Sequence, residues 1–227
     1  MCCLSLGSIA QVNPYYDDKL LHFGFSLGIN FMDFATPEAT DTIGVRQSSL
    51  VPGFSVGLIA DLRLTRHLNL RFQPALHFGD RTISYKPKEG YTLPFNSKYG
   101  DKISIIAIPI TLPIYLKWSA DRERDFRPYV IGGGGVSLDV MPVSAQQSPV
   151  VPNYFNYFAE VGFGVDLYFS WFKLCPQLTY SIGFNNQLID VNSNHPNVAG
   201  MTIEDKFYSQ VIKGLYSHQI TLTFNFE

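Results

Sequence analysis

The most constraining feature of this sequence is a strict alternation of apolar residues with small or polar ones. In the first such run Phe23, Phe25, Leu27, Ile29 and Phe31 share one face, and Gly, Ser and Asn occupy the other. A period of two residues predicts β-strands whose two faces lie in different surroundings. Eight runs of this kind are found, at 23–31, 54–64, 68–78, 106–118, 129–140, 160–169, 172–184 and 220–226.

The connections between these runs alternate between long and short. Long segments follow the odd runs, at 34–51, 80–102, 141–156 and 185–215, and short ones follow the even runs, at 65–67, 119–127 and 170–171. Transmembrane barrels have this asymmetry, with short periplasmic turns and longer external loops, and strands of about ten residues cross a bilayer at barrel tilt. We therefore predict an all-β fold over residues 22–227: an eight-stranded antiparallel transmembrane β-barrel of the bacterial outer membrane, with both chain termini in the periplasm.

Composition decides which face of the strands meets lipid. Charged residues make up only 16% of the chain and aromatic residues 15%, whereas soluble domains average about 25% charged residues. Too few charges lie on the strands to coat a water-facing exterior, so we predict that the apolar face points outward to membrane lipid. A transmembrane helix is not expected, because the most apolar segment contains Pro109 and Pro113. Lys and Arg are scattered, which argues against a nucleic-acid partner.

The polar face is predicted to fill the barrel interior, where small residues leave room for a few ionic side chains. The predicted interior charge network consists of Asp61, Arg63, Arg71, Lys117, Asp139, Glu160 and Asp166. Aromatic residues at the strand ends predict two interfacial girdles. One rim holds Trp118, Phe169, Trp171, Phe172 and Phe226, and the other holds Phe31, Phe34, Phe78, Phe184 and Tyr216.

Two regions outside the strands carry their own predictions. Residues 1–10 resemble the end of a signal peptide, because Ser8-Ile9-Ala10 places small residues where a peptidase reads them. Residues 11–21 then form a periplasmic lead-in, in which Asp17, Asp18 and Lys19 dock a partner, plug the barrel or are simply solvated. In the last long connection, apolar residues at helical spacing within 204–215 predict a short external helix that caps the barrel or touches a partner.

Catalytic and cofactor chemistry finds little support in the sequence. The glycines at 132–135 are not followed by the Lys-Ser/Thr of a phosphate loop, and close strand packing explains them better. Glu160 and Asp166 lie on one strand face but about 20 Å apart, too far for a glycosidase pair. We therefore expect no enzyme activity, no cofactor and no metal site.

Three stretches of the sequence resemble the PorT family of outer-membrane barrels from Bacteroidetes. They are Tyr16-Asp17-Asp18-Lys19-Leu20-Leu21-His22-Phe23-Gly24-Phe25 with Gly28-Ile29-Asn30, the segment 108–117 with its Ile-Pro-Ile and Leu-Pro-Ile-Tyr-Leu-Lys, and the segment 160–186. The resemblance implies a link to the type IX protein secretion system and, through it, to gliding motility.

Three functions remain open on this basis. The first is a structural or accessory component of type IX secretion that acts through contacts with other secretion-system proteins. The second is a small pore or uptake barrel, although a lumen filled by side chains argues against a wide channel. The third is an outer-membrane enzyme acting on lipid or peptide, which would need a convergent polar site at one rim.

Overall fold

The computed structural model describes residues 19–35, 43–47, 51–87, 102–140, 153–189 and 214–227, together with positions 202–203, 206, 209–210 and 212. These residues form eleven β-strands: β1 Leu21–Ala35, β2 Ile43–Gln47, β3 Pro52–Arg63, β4 Leu68–Phe72, β5 Ala75–Pro87, β6 Lys102–Ala107, β7 Pro109–Ser119, β8 Phe126–Asp139, β9 Phe155–Tyr168, β10 Lys173–Gly183 and β11 Tyr216–Phe226.

The sheet closes on itself. β1 pairs with β11 on one side, where Phe25 faces Phe226, and with β3 on the other, where Leu27 faces Val56. All pairings are antiparallel. β2 with β3, β4 with β5, and β6 with β7 form successive parts of three wall strands, so the eleven strands make a wall of eight. Closure leaves no open edge around the wall, which a sheet surrounded by lipid requires. The predicted eight-stranded antiparallel barrel is confirmed.

Pro74 separates β4 from β5. Proline has no backbone N–H to give to a ladder, but its carbonyl accepts a hydrogen bond from the N–H of Leu58 at 2.9 Å. On the other side of this wall strand the N–H of Gln73 donates to the carbonyl of Pro113 at 3.4 Å. Hydrogen bonding between neighbouring wall strands therefore continues across the break.

One side of the wall extends further than the sequence predicts. β5 continues to Pro87 and pairs with β6 from Lys102 onward, and β2 pairs with the far end of β5. The predicted connections 34–51 and 80–102 are thus too long, because each contains strand residues. Hydrogen bonding to a neighbouring strand, rather than a long apolar alternation, defines these extensions.

The two faces of the wall differ as predicted. In β7 every second residue from Pro109 to Ser119 is buried, and the residues between them are exposed, with Leu116 and Trp118 more than half exposed. The buried set includes Tyr115 and Lys117. Apolar side chains therefore form the exterior, and polar and ionic ones fill the interior, the reverse of a soluble barrel.

The two ends of the barrel are distinct. We call the end with residues 64–67, 120–125, 169–172 and Glu227 the short-turn end, and the opposite end the long-loop end. At the long-loop end, residues 203, 206 and 209–210 are helical, and Ile212 and Leu215 are fully buried. The carbonyl of Leu215 accepts a hydrogen bond from the N–H of Gln187 at 2.8 Å. Ile212 and Leu215 therefore pack against the barrel at this end.

Candidate functional site

A chain of ion pairs fills the lumen near the short-turn end. Arg71 donates from Nε and from one terminal nitrogen to Oδ2 of Asp61, at 2.9 and 2.6 Å, and it also contacts Glu227 at 2.5 Å. The other carboxylate oxygen of Glu227 pairs with Nζ of Lys173. Arg71 and Asp61 have no exposed surface at all. The alternation of the strands places these side chains inside, and the register brings them to one level.

A second ion pair lies beside this chain. Nζ of Lys117 is 2.8 Å from both carboxylate oxygens of Asp166, and it lies 4.0 Å from the centre of the Tyr129 ring. The Tyr129 hydroxyl donates to Oε1 of Gln177 at 3.0 Å, and the same oxygen accepts from Asn225 at 3.2 Å. Arg71 also donates to this Gln177 oxygen at 3.3 Å, so Gln177 and the Tyr129 ring connect the two ion-pair groups across the lumen.

The charges of this cluster balance. Arg71, Lys117 and Lys173 are the cations, and Asp61, Asp166 and Glu227 are the anions. Breaking a buried pair by removing one partner costs about 3–5 kcal/mol, because a lone charge remains without water or counter-ion. The cluster therefore closes the lumen at this level, because moving any one of its side chains away would leave a buried charge without its partner. We call these six side chains the lumen plug.

The middle of the lumen is polar and nearly full. A cavity of about 30 Å³ lies among Ser26, Gln73, His77, Thr111 and Glu160. His77 Nε2 is 3.0 Å from the Thr111 hydroxyl, and Glu160 lines the same cavity with Tyr115 and Thr179. A space of this size holds only a small number of waters.

A separate pair lies toward the long-loop end. Arg81 contacts Asp139 at 3.3 Å, and its guanidinium lies 4.6 Å from the centre of the Phe34 ring. Phe34 was predicted to belong to the outer aromatic rim, and this prediction is wrong. The inward face of β1 is formed by residues of even number, which include Met32 and Phe34, and Phe34 is accordingly buried in the lumen.

The seven charges predicted to form one interior network occupy three levels. Asp61, Arg71, Lys117 and Asp166 belong to the lumen plug, whereas Asp139 pairs with Arg81 and Glu160 lines the cavity in the middle of the lumen. Arg63 is half-buried, two residues beyond Asp61 on the same strand face.

Three interior charges were not predicted: Arg81, Lys173 and Glu227. Each continues an alternation already present in its strand. Lys173 lies between Phe172 and Leu174, and Glu227 follows Thr223 and Asn225 on the inward face. Arg81 lies three residues beyond its run and Glu227 one residue beyond its run, whereas Lys173 already lies on the polar face within the run 172–184.

Glu227 follows the last residue of β11 and lies outside the membrane-crossing strands. Burial raises the pKa of its carboxyl group, but the Lys173 ammonium and the Arg71 guanidinium lower it by more. The pKa of Glu227 therefore lies well below the usual range of a glutamate, and the group is ionised at neutral pH.

The sequence profile described as "Outer membrane protein beta-barrel domain" matches residues 9–188 of the chain. The chain belongs to this family. A β-barrel of the bacterial outer membrane accounts for the exposed apolar exterior, since the Phe, Leu, Ile and Val side chains of the wall contact lipid.

Two solved structures are similar to this outer-membrane barrel. Neisserial surface protein A is 10% identical, with a TM-score of 0.44 over 91% of this chain and 98% of that one. The N-terminal β-barrel domain of OprF from Pseudomonas aeruginosa is 14% identical, with a TM-score of 0.32 over 88% and 96% of the two chains. The family assignment rests on the sequence profile and not on these two structures. No curated protein matches the chain in sequence.

Several aromatic residues of this outer-membrane barrel line its rims. At the short-turn end Phe169 stacks on Phe172 at 5.0 Å, Phe172 lies 6.2 Å from Phe226, and Trp171 is 90% exposed. Trp118 is also exposed near this end.

At the other end Phe184 is exposed and Phe31 and Phe78 are half-buried on the outer face, with Phe78 stacked on Phe54 at 4.5 Å. Tyr216, also predicted for this rim, is half-buried at the start of β11.

Some of the other predicted features lie outside the described residues. Residues 1–10 and 11–18, with Asp17 and Asp18, lie outside the described residues, and Lys19 is exposed just before β1. Within the described residues no helix is long and apolar enough to cross a membrane. In the same part of the chain no group of three or more His, Cys, Asp or Glu residues could hold a metal ion.

Proposed function

We propose that this barrel is a structural or accessory component of the type IX secretion system of a Bacteroidetes outer membrane, similar to the PorT family. It acts through protein–protein contacts made by its rims, loops and outer wall, and it has neither a catalytic nor a transport role. The resemblance of residues 16–30, 108–117 and 160–186 to that family supports the system, and the closed lumen supports the mode of action.

The observation that carries the mode of action is the lumen plug. Arg71, Asp61 and Lys117 are at most 1% exposed, and the cavity above them has a volume of only about 30 Å³. A solute would have to separate several buried ion pairs to pass. If the lumen takes no part in the function, the protein acts through its rims, its loops and its outer wall.

We also infer that the short-turn end faces the periplasm. The chain enters β1 and leaves β11 at this end, beside the connections 64–67, 120–125 and 169–172. Bacterial barrels of this class place short turns in the periplasm and long loops outside. Lys19, just before β1, then lies on the periplasmic side, where partner proteins are accessible.

Deleting the gene and measuring type IX cargo in the culture medium tests the proposal. We expect cargo to accumulate inside the cells and gliding to be lost, and expression of the wild-type barrel to restore both. Normal secretion in the deletion strain would contradict the proposal. Purification in mild detergent, followed by mass spectrometry, identifies any partner.

The alternative, a small pore or uptake barrel, makes a different prediction. Planar bilayers containing the purified barrel would show discrete conductance steps, which would increase when Lys117 and Asp166 are replaced by alanine. We expect neither the wild-type protein nor this double variant to give steps above the background of an empty bilayer.

A further inference from the structure

The small cavity in the middle of the lumen is lined mainly by hydroxyl and amide side chains, and its volume is about 30 Å³. On β7, Thr111 and Tyr115 line it, between Lys117 of the lumen plug and Pro109, which lies opposite Asp139. The cavity is thus placed between the two levels of ion pairs. Empty cavities in proteins are apolar, so a polar cavity at this place is expected to hold water.

Two of the residues that line the cavity bury an oxygen that has no hydrogen-bond partner. Ser55 is 3% exposed and Gln73 is 5% exposed. Neither Oγ of Ser55 nor Oε1 of Gln73 meets a donor or acceptor among the described residues. Buried polar groups in proteins are paired with another protein group or with ordered water. The missing partner of these two oxygens is therefore a solvent molecule.

The lumen plug sets the direction of the Gln73 amide. A guanidinium can only donate, so the Gln177 atom that lies 3.3 Å from Nη1 of Arg71 must be the oxygen Oε1. The Asn225 atom that lies 3.2 Å from this oxygen must then be the donor Nδ2. Oδ1 of Asn225 is left to accept from Nε2 of Gln73, at 3.2 Å. Gln73 therefore has its oxygen free, and it needs a donor.

His77 and its neighbours, by contrast, already have partners within the protein. Nε2 of His77 is 3.0 Å from the Thr111 hydroxyl, and Nδ1 is 3.0 Å from Nε2 of Gln219. The Thr111 hydroxyl donates in turn to a backbone carbonyl at 3.4 Å. The need for a further partner in this cavity therefore comes from Ser55 and Gln73.

We propose that this cavity binds about two water molecules, since one water needs roughly 10–15 Å³ of such space. One water donates to Oε1 of Gln73, and the other is hydrogen-bonded to Oγ of Ser55. Because Arg71 fixes the Gln73 amide through Gln177 and Asn225, the lumen plug also sets the orientation of the first water. The bound waters are part of the folded barrel, and this site is independent of any role in secretion.

A crystal structure of the full barrel, at a resolution that shows ordered water, tests the two positions. We expect density for one water within about 2.5–3.0 Å of Gln73 Oε1 and for a second water at the same distance from Ser55 Oγ. An empty cavity, or a direct protein partner for both oxygens, would overturn the proposal.

Oxygen-17 relaxation dispersion of the solvent tests the site in solution. It counts the waters that stay bound for longer than the barrel tumbles, and exchange of hydroxyl protons does not affect it. Gln73→Met keeps the approximate size of the side chain but removes the acceptor, and Gln210→Met makes the same change at an exposed position. We expect Gln73→Met to lose one long-lived water and Gln210→Met to lose none. Equal counts in the two variants would contradict the role of Gln73.

A second pair of variants tests the other water. Ser55→Ala removes the hydroxyl without adding bulk, and Ser170→Ala is the control in the exposed turn after β9. We expect Ser55→Ala to lose one long-lived water and Ser170→Ala to keep the wild-type number. The shift between folded and heat-denatured bands on a gel shows that each variant is folded. An unchanged count in Ser55→Ala would overturn its assignment, and if either lumen variant does not fold, the crystal structure of the wild type decides.

Discussion

Nζ of Lys117 lies 2.8 Å from each carboxylate oxygen of Asp166, and the two side chains are at most 2% exposed. They come from β7 and β9, with β8 between them. The ion pair therefore crosses the inner surface of β8. It links β7 directly to β9, in addition to the backbone hydrogen bonds that join each of these strands to β8.

Replacing one member of this pair should destabilise the barrel more than replacing both. We expect Lys117→Met to lower the free energy of unfolding by about 3–5 kcal/mol, because Asp166 remains buried without its nearest cation. The double variant Lys117→Met/Asp166→Leu should recover most of this loss. Urea unfolding in lipid vesicles measures each value. Additive effects of the two single substitutions would show that the pair is not coupled.

The depressed pKa of Glu227 predicts a component of stability that depends on pH. A carboxyl group whose pKa is lower in the folded state stabilises the fold above its unfolded pKa, about 4.3, and this contribution is lost as the pH falls toward the folded pKa. The difference in unfolding free energy between the wild type and Glu227→Gln should be largest near pH 7 and should shrink below about pH 4. Glu123→Gln, in the exposed turn before β8, is the control. An unchanged difference across this range would contradict the role of Glu227.

Adjacent glycines of β8 should respond differently to alanine. A Cβ at Gly133 would overlap the carbonyl oxygen of Ile114 and the backbone of Tyr115, whereas a Cβ at Gly132 meets no atom within 4 Å. We expect Gly133→Ala to cost about 1–3 kcal/mol through strain on the β7–β8 ladder. Gly132→Ala should be neutral or stabilising by up to about 1 kcal/mol, since it restricts the unfolded chain. Unfolding in urea compares the two, and equal effects would contradict the close approach.

A charge on the outer wall should be costly only in the middle of the membrane. Ile114 is 55% exposed at the centre of β7, and Leu64 is 49% exposed at the short-turn end. Ile114→Arg should lower the unfolding free energy in vesicles by about 2–4 kcal/mol, and Leu64→Arg by about 1 kcal/mol or less. If both variants cost the same, the wall around Ile114 does not lie in hydrocarbon.

The wall strands and the direction of their faces could be predicted from the sequence. Alternation such as that of Leu112, Ile114 and Leu116 with Thr111 and Tyr115 needs no knowledge of neighbours. The extensions at β2 and β6 could not be predicted in this way, because they depend on pairing with β5.

The sequence also could not show which charged side chains pair with each other in the lumen. The pattern places Asp61, Arg71, Lys117 and Asp166 inside, but the register decides which of them meet. Asp61 pairs with Arg71 across the β3–β4 hairpin, whereas Lys117 reaches Asp166 two strands away. The contact between Tyr180 and His218 on the outer face likewise requires the pairing of β10 and β11.

The contact between Arg71 and Glu227 joins residues 156 positions apart. It can form only when the last strand has arrived beside the first, because β11 completes the ring between β10 and β1. Until then Lys173 lacks its partner Glu227, and Arg71 has only Asp61 as a counter-ion, so the cations of the lumen plug outnumber the anions. Insertion into the bilayer and closure of the barrel are therefore linked. A barrel that lacks β11 would keep its charged inner surface in water until β11 has paired with β10 and β1.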